Sequence, residues 1–447
     1  MLKRSAAIAM AVVGLIVGAG FASGQEMMQY FVAFGRMGIW GAVMAGIIMA
    51  ASAAAVLSLA SYFLADEHTA VFDRISSPIM SRVLDIAVMI TLFSTGFVMF
   101  AGAGSNLNQQ FGLPIWVGSV IMMVLVLAAG MLDVDKVSAI IGGITPFIIV
   151  FLVGAAIYSI INADGTLAEL EPATAGLLTT LPNWWVSALN YVGFSLMVAV
   201  SMAIVIGGTQ INPREAGIGG LAGGVTYGGL LVLCSVALFY SVEEVGGDDM
   251  PMLTIVDRVN PTLGVAMAIV VYGMIFNTAI GMFYALGKRL TRNDKGKFRP
   301  VFVGSVVIGF GLSFIGFQTL VSTVYPALGY IGIALIVVVV IARISGRAKL
   351  AEEAERRARI RDLVRRRLDP RTKFSPSEAK KLKKEIAASN ADDRALIEVV
   401  RDDVTGELEG ELGEGEEMKL SDAKDADAAA GQPADDGAAR STKESQR

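Results

Sequence analysis

The sequence predicts an all-α integral membrane protein with about ten transmembrane helices, arranged as 5+5 inverted repeats with discontinuous helices 1 and 6. Three observations lead to this prediction. Apolar residues make up 54% of the 447 residues and charged residues only 17%, whereas a soluble domain has about 25% charged residues. Ten apolar segments approach or exceed the roughly 17 residues that a membrane-spanning helix needs. Glycines interrupt the first of these segments near its centre.

The ten predicted spans divide into two halves of nearly equal length. They lie at 5–34, 38–64, 79–104, 114–132, 138–161, 184–208, 216–240, 262–287, 300–315 and 318–342. Because five is an odd number, two consecutive halves of five spans must cross the membrane with opposite topology, which is a recurring plan among transporters. We therefore place repeat one at about 4–161 and repeat two at about 184–342, within a membrane core of residues 1–345.

Basic residues in the short loops predict the orientation of the chain. One side of the membrane collects twelve of them, and the other side has only Arg36 and Arg258. The twelve are Lys3, Arg4, Arg74, Arg82, Lys136, Arg214, Lys288, Arg289, Arg292, Lys295, Lys297 and Arg299. This asymmetry predicts a multi-pass protein of the inner (cytoplasmic) membrane with both termini in the cytoplasm.

The C-terminal tail differs sharply from the core in composition. Residues 346–390 are predicted to be a cytoplasmic, basic, helical segment. Its lysines at 380, 381, 383 and 384 would be attracted to anionic lipid. Residues 391–447 become acidic and rich in Gly and Ala, a composition that predicts a disordered tail.

The interruption in span one is the strongest indication of a binding site. Gly14, Gly18, Gly20 and Gly24 break the apolar run, and Gln25-Glu26 follows directly. In lipid, unwound backbone is tolerated only where it is buried in protein or lines a cavity. Two other interpretations stay open: tight helix packing at the glycines, and a signal peptide cleaved before Met27.

Several polar residues at membrane depth are candidates for ion binding. Glu26 lies roughly 9 Å beyond the break, within the hydrocarbon core, where ionisable side chains usually face a cavity or a partner. Pairing with Arg36 near the headgroups is the alternative. Asn277 and Thr278 lie near the middle of span eight, where ion coordination and interhelical hydrogen bonding are equally compatible with the sequence.

Catalysis and metal chemistry are not expected. The chain has one cysteine, Cys234, and one histidine, His68, so a cluster of His and Cys metal ligands is excluded. The spans contain no pairing of a nucleophile with a base. We therefore predict a protein that is not an enzyme and has no cofactor apart from a coupling Na⁺ or H⁺.

The run from Val17 to Met27, VGAGFASGQEM, with ten spans following, resembles the YkvI-type family of bacterial membrane proteins. That family is placed in the amino acid–polyamine–organocation superfamily, which has the leucine-transporter-type fold. The resemblance covers residues 1 to about 345 and implies a substrate site between spans one and six, with spans three and eight contributing. The implied substrate-binding residues are Gly18, Ala19, Gly20, Phe21, Ala22, Ser23, Gly24, Gly193, Phe194, Ser195 and Thr95. Glu26, Asn277 and Thr278 are the candidates for the coupling ion or proton.

These features together predict a secondary active transporter of a small organic solute, with an amino acid or a related compound as the expected substrate. Transport would proceed by cation-coupled alternating access, driven by H⁺ or Na⁺. The expected partners are the solute and the lipid bilayer, with anionic lipid at the basic tail segment and no nucleic acid. The alternative is a transporter-like membrane sensor or scaffold that signals through its tail.

Overall fold

The computed structural model describes residues 2–131, 145–163, 165–292, 294–412 and 418. The described part of the chain is helical and contains no strand. The helices of the first half are α1 (Leu2–Ile16), α2 (Ala19–Ser23), α3 (Gln25–Tyr30), α4 (Gly35–Phe63), α5 (His68–Ile75), α6 (Pro78–Phe111), α7 (Ile115–Gly130) and α8 (Thr145–Ile161). A short 3-10 turn, Val32–Phe34, joins α3 to α4.

The second half and the tail continue this pattern. The helices of the second half are α9 (Leu167–Thr174), α10 (Trp184–Gly208), α11 (Pro213–Tyr240), α12 (Val242–Val245), α13 (Pro251–Val259), α14 (Pro261–Leu290), α15 (Phe298–Ser313) and α16 (Phe317–Ser345). Three further helices, α17 (Arg347–Leu368), α18 (Pro376–Ala387) and α19 (Asp393–Glu411), form what we call the tail bundle. We refer to the membrane face beside this bundle as the tail side and to the other face as the loop side.

The helices match the predicted spans in order. In the described residues, six helical stretches are long and apolar enough to cross a membrane, and four shorter apolar helices accompany them. Span one consists of α1, α2 and α3, and spans two to ten are α4, α6, α7, α8, α10, α11, α14, α15 and α16. The predicted start of span five, 138–144, lies outside the described residues.

The two halves pack as an inverted repeat requires. Span two packs along span seven, and span three along span eight, so each helix meets its own counterpart. Span one packs on span seven in the same way that span six packs on span two. Small residues allow the central contact between α4 and α11: a Cβ atom on Gly46 would lie 2.9 Å from the Cα atom of Gly228. Close backbone approach of this kind is a common basis of helix association in membranes.

The prediction of a disordered tail from residue 391 is wrong for its first part, because α19 is a helix from Asp393 to Glu411. Its side chains Leu396, Val400, Val404 and Leu408 recur every four residues and are fully buried in an apolar cluster with α17 and α18. This spacing places them on one face of a helix. The acidic composition of this segment suggested disorder, but carboxylates of α19 pair with arginines of α17, as Asp403 does with Arg361 at 2.8 Å. Residues 413–417 and 419–447 lie outside the described residues.

Candidate functional site

Span one is broken at two places close to its middle. Helix α1 ends at Ile16, and Gly18 is extended, with φ −98° and ψ −173°. The five-residue helix α2 then ends at Gly24, whose φ of +85° is left-handed. A side chain at Gly24 would strain that conformation and would also lie only 2.7 Å from Cγ of Met252. The predicted discontinuity of helix 1 is therefore present.

The break leaves backbone groups without helical partners. The amide of Gly18 bonds to the carbonyl of Ile16 at 2.8 Å instead of the carbonyl four residues earlier. Helix α2 has no side-chain cap, so the amides of Ala19, Gly20 and Phe21 have no helical acceptor. These amides lie in the middle of the protein, where a ligand with an acceptor group would satisfy them.

Glu26 is buried, with 8% of its surface exposed, and its carboxylate bends back over Gly20. A Cβ atom at Gly20 would overlap the Oε1 atom of Glu26. Within the described chain Glu26 has no ion pair, and its hydrogen-bond partner is the hydroxyl of Tyr191, which donates to Oε2 at 3.4 Å. The alternative pairing with Arg36 does not occur, because Arg36 pairs with Glu171 at 2.7 Å.

The hydroxyl of Tyr191 extends this polar contact to span seven. It lies 2.6 Å from the hydroxyl of Tyr227, and both tyrosines are fully buried. On the other side, the hydroxyl of Tyr30 donates to Asn190 Oδ1 at 3.3 Å, and Asn190 Nδ2 donates to the carbonyl of Pro326 at 2.9 Å. Tyr191 thus connects Glu26 to span seven, and Asn190, the neighbour of Tyr191 in the chain, connects span six to spans one and ten.

Three more buried polar atoms on these helices have no hydrogen-bond partner in the described chain. They are Gln25 Oε1, Gln29 Oε1 and the hydroxyl of Tyr325. Buried polar groups are nearly always hydrogen-bonded, so unpaired groups in one part of a core indicate space for a polar ligand or water.

The prediction of a discontinuous helix 6 is wrong, because α10, which is span six, runs without interruption from Trp184 to Gly208. Gly193 serves a close helix contact instead: a Cβ atom there would lie 3.0 Å from the carbonyl carbon of Gly332 in α16. Helix packing, rather than an unwound segment, therefore accounts for this glycine. Phe194 stacks on Tyr325 with ring centroids 3.9 Å apart, and Ser195 is buried beside Tyr227.

Thr278 of span eight lies beside the break, as the resemblance implied. Its Oγ1 atom is 4.0 Å from the position that a Cβ atom on Gly18 would occupy. Asn277 precedes it on the same helix, and both side chains are partly exposed. Among the described residues no hydrogen bond joins Thr95 to this group, although the Thr95 side chain is buried on α6.

The break is closed on the loop side and more open on the tail side. Every residue from Ala19 to Val32 is buried, whereas Ile16, Gly18 and Thr278 are partly exposed. Helix α13 closes the loop side, because Pro251 and Met252 pack on Gly24. The Gln109 side chain of α6 ties this cover to span three: it accepts from the Met250 amide at 2.9 Å and donates to the Met250 carbonyl at 3.0 Å.

The sequence indicated Glu26 but not the tyrosines and the asparagine around it. Tyr191 and Tyr227 read as ordinary aromatic residues in apolar helices. A signal was available for Tyr227, since it lies among glycines in GGVTYGG at 223–229, where a large residue is conspicuous. Pro326, in the interior of α16, marked a second place where backbone carbonyls would need side-chain donors.

A broken span at mid-membrane inside a 5+5 inverted repeat defines a membrane protein of the leucine-transporter-type fold. The structure of MhsT in complex with L-phenylalanine shares this fold, with a TM-score of 0.52 and 15% sequence identity over 88% of this chain and 97% of MhsT. The confirmed fold class and the membrane location agree with the prediction that the chain is not an enzyme.

The predicted resemblance to YkvI-type proteins is also confirmed. The chain is 24% identical over 333 residues to YkvI, an uncharacterised membrane protein of Bacillus subtilis (strain 168), covering 74% of this chain and 93% of YkvI. It is 22% identical over 326 residues to the uncharacterised protein YyaD of the same strain, covering 73% of this chain and 93% of YyaD. No family model matches the chain.

Proposed function

We propose that the protein is a secondary active transporter of a small organic solute, an amino acid or a related compound, driven by the proton gradient. The observation that carries this proposal is Glu26, a buried carboxylate without a basic partner that lies against the unwound part of span one. The leucine-transporter-type fold supports the general class, since discontinuous helices at mid-membrane form the substrate sites of such transporters.

The solute would bind at the break in span one. The amides of Ala19, Gly20 and Phe21 are hydrogen-bond donors without a helical acceptor and could bind a carboxylate, and the lack of a side chain at Gly18 permits close approach. MhsT, which shares the fold, was solved with an amino acid, L-phenylalanine. We therefore expect a carboxylate-bearing solute, with the aromatic rings of Phe21 and Tyr227, 5.2 Å apart, close to its apolar part.

A proton is the coupling ion that fits the surroundings of Glu26. A buried carboxylate without a paired cation costs several kcal/mol, and protonation removes that cost. The hydroxyl of Tyr191 can donate to the ionised form and accept from the protonated form. Glu26 would then take up a proton before the site closes and release it when the site opens on the opposite side.

The uneven burial around the break supports alternating access. The loop side is covered by α13, whereas Ile16, Gly18 and Thr278 are partly exposed toward the tail side. With the basic loops in the cytoplasm, this conformation would be open to the inside. The opposite conformation requires α13 to leave Gly24 and the Gln109 contacts to Met250 to break.

Uptake into liposomes tests this proposal. The purified protein would be offered a panel of amino acids, organic acids and amines under a proton gradient, a sodium gradient or neither. We expect accumulation of at least one solute that requires the proton gradient and is lost in Glu26→Gln. Glu171→Gln, in the exposed pair with Arg36, is the matched control and should transport normally. Accumulation driven by sodium alone, or unchanged in Glu26→Gln, would contradict proton coupling through Glu26.

The folded tail favours a sensor as the second candidate function. Arg357 of α17 is completely buried and donates to the carbonyls of Ser61 and Tyr62 in α4, both at 2.7 Å. The tail bundle therefore contacts the tail-side end of span two directly. A chain without residues 347–447 that still transports would support the transporter, whereas a full-length chain that binds solute without transporting it would favour the sensor.

A further inference from the structure

We infer that the junction between the membrane core and the tail bundle contains a binding site for a phosphate group, with the headgroup of an anionic phospholipid as the favoured source. The site is a cavity of about 340 Å³ on the tail side of the molecule. It lies apart from the break in span one and from the lysines of α18. Its volume is within the roughly 300–1,000 Å³ that is typical of small-molecule sites.

Three arginines from three different helices line this cavity. Arg214 comes from the first turn of α11, Arg343 from the last turn of α16, and Arg347 from the first residue of α17. None of the three has an ion pair within the described residues. The three guanidinium groups outnumber the one carboxylate of the lining, that of Glu355, so an anion that the arginines share would offset the excess of positive charge.

The chemistry of arginine favours phosphate over a single carboxylate. Each guanidinium presents several donors in a planar fork that matches two oxygens of a phosphate. Glu355 is the one acidic residue that lines the cavity, so the balance of the lining is positive. One carboxylate would occupy the donors of one arginine, whereas a phosphodiester has oxygens for several.

The remaining lining consists of small apolar residues together with Asn212, Pro213 and Ser58. Ala351, Ala354 and Ala358 lie along one side of α17 and leave open the space that longer side chains would fill, and Leu350 lies beside them. Ser58 of α4, several residues before the tail-side end of that helix at Phe63, lines the cavity as well. The cavity thus combines a basic rim with an apolar floor at the level where the membrane core meets the tail bundle. A lipid headgroup with its glycerol backbone fits both parts, whereas inorganic phosphate uses only the rim. Basic pockets between helices on the cytoplasmic side are known sites for such headgroups.

The test measures the melting temperature of the full-length protein in nanodiscs of phosphatidylcholine alone or mixed with phosphatidylglycerol. We expect phosphatidylglycerol to raise the melting temperature, and we expect Arg214→Gln/Arg343→Gln/Arg347→Gln to lose most of that increase. The matched control, Lys380→Gln/Lys381→Gln/Lys383→Gln, removes the same charge from exposed positions of α18 and should keep the increase. Arg214→Lys/Arg343→Lys/Arg347→Lys retains the charge without the planar guanidinium fork and should show a smaller increase in melting temperature than the wild type.

Two further arms identify the source of the phosphate. Short-chain phosphatidylglycerol and inorganic phosphate are titrated separately into the protein in neutral detergent, and we expect the lipid to bind at least about tenfold more tightly in the wild type than in the arginine variant. An effect of inorganic phosphate alone that depends on the arginines would identify a soluble phosphate ligand. The inference is wrong if neither probe gives an effect that depends on the three arginines. It is also wrong if the increase in melting temperature with phosphatidylglycerol is lost in Lys380→Gln/Lys381→Gln/Lys383→Gln and kept in the arginine variant.

Discussion

Arg357 gives the sharpest prediction about how the tail bundle is held on the membrane core. Its guanidinium donates to Glu353 at 2.8 Å, to the carbonyls of Ser61 and Tyr62 at 2.7 Å, to the carbonyl of Ile211 at 3.2 Å and to Asn390 Oδ1 at 3.1 Å. Ser61 and Tyr62 belong to the last turn of α4, where the helix supplies few backbone donors, and the Ser61 carbonyl also accepts from the Leu64 amide at 3.1 Å. Arg357 therefore caps α4 and at the same time attaches α17 to it.

Replacing Arg357 with methionine keeps much of the side-chain volume but removes every one of these bonds. Glu353, whose side chain is 2% exposed, would retain Arg356 at 2.7 Å as its charged partner. A hydrogen bond to a charged group contributes about 1.5–3 kcal/mol, so losing the two bonds to the carbonyls of Ser61 and Tyr62 should cost about 3–6 kcal/mol. Because the contacts join the bundle to the core, we expect most of this cost to appear as a less favourable free energy of docking of the tail bundle on the core.

Limited proteolysis measures the effect, with the cleavage rate at Arg371 and Lys373, between α17 and α18, as the readout. If the cleavage rate follows the fraction of molecules whose tail bundle is detached from the core, a loss of this size in the free energy of docking predicts cleavage at least about a hundredfold faster. Arg359→Met is the matched control: its side chain is 44% exposed and pairs with Glu385 at 3.2 Å, so about 1 kcal/mol or less should be lost. Equal cleavage rates in the two variants would refute the proposed attachment.

Two more predictions concern the helix contact at span six and a buried histidine. Gly193→Ala should destabilise the protein by about 1–3 kcal/mol, because the new methyl group would overlap the backbone of α16; a melting temperature equal to that of the wild type would exclude the close contact. Burial lowers the pKa of His68 from its ordinary value of 6.5, although Asp85 and Ser201 each lie 3.1 Å from its ring nitrogens. The unfolded chain therefore binds more protons below pH 6.5, so stability should fall as the pH drops through that value. His68→Gln should weaken this pH dependence of the melting temperature, and an unchanged pH profile would contradict it.

The sequence predicted the fold well because lipid imposes simple rules. A helix that crosses a bilayer must be apolar over most of its length, so the ten spans could be read directly from composition. The break in span one could also be predicted, since Gly18 and Gly24 stand in one apolar run where unwound backbone requires a reason. Both glycines do interrupt the helix.

The prediction was wrong for span six because glycine has two roles in membranes. Gly193 could equally permit a break or a close helix contact, and the deciding feature is Gly332 on a helix about 140 positions later in the chain. Such long-range pairing leaves no local signal. The surroundings of Glu26 were missed for the same reason, since Tyr191 meets that carboxylate, and Tyr227 meets Tyr191, only in the folded protein.

The tail was mispredicted because composition outweighed periodicity. The acidic residues of α19 suggested disorder, but Leu396 and Val400 begin a spacing of four that indicates a helix. The basic residues of α17 lie opposite and neutralise much of that charge, as Arg365 does with Glu407 and Glu411. Net charge predicts disorder only when no complementary partner is available.

The central claim is that a solute binds at the break in span one, and protection of a single cysteine tests it most directly. In a Cys234→Ser background, Thr278→Cys places a thiol about 4 Å from the position that a Cβ atom on Gly18 would occupy, where partial exposure allows labelling. Lys288→Cys, at an exposed position near the tail-side end of the same helix, is the control. We predict that a transported solute slows labelling by a small maleimide at position 278 several-fold and leaves position 288 unchanged. Labelling at position 278 that is indifferent to a transported solute would contradict the site.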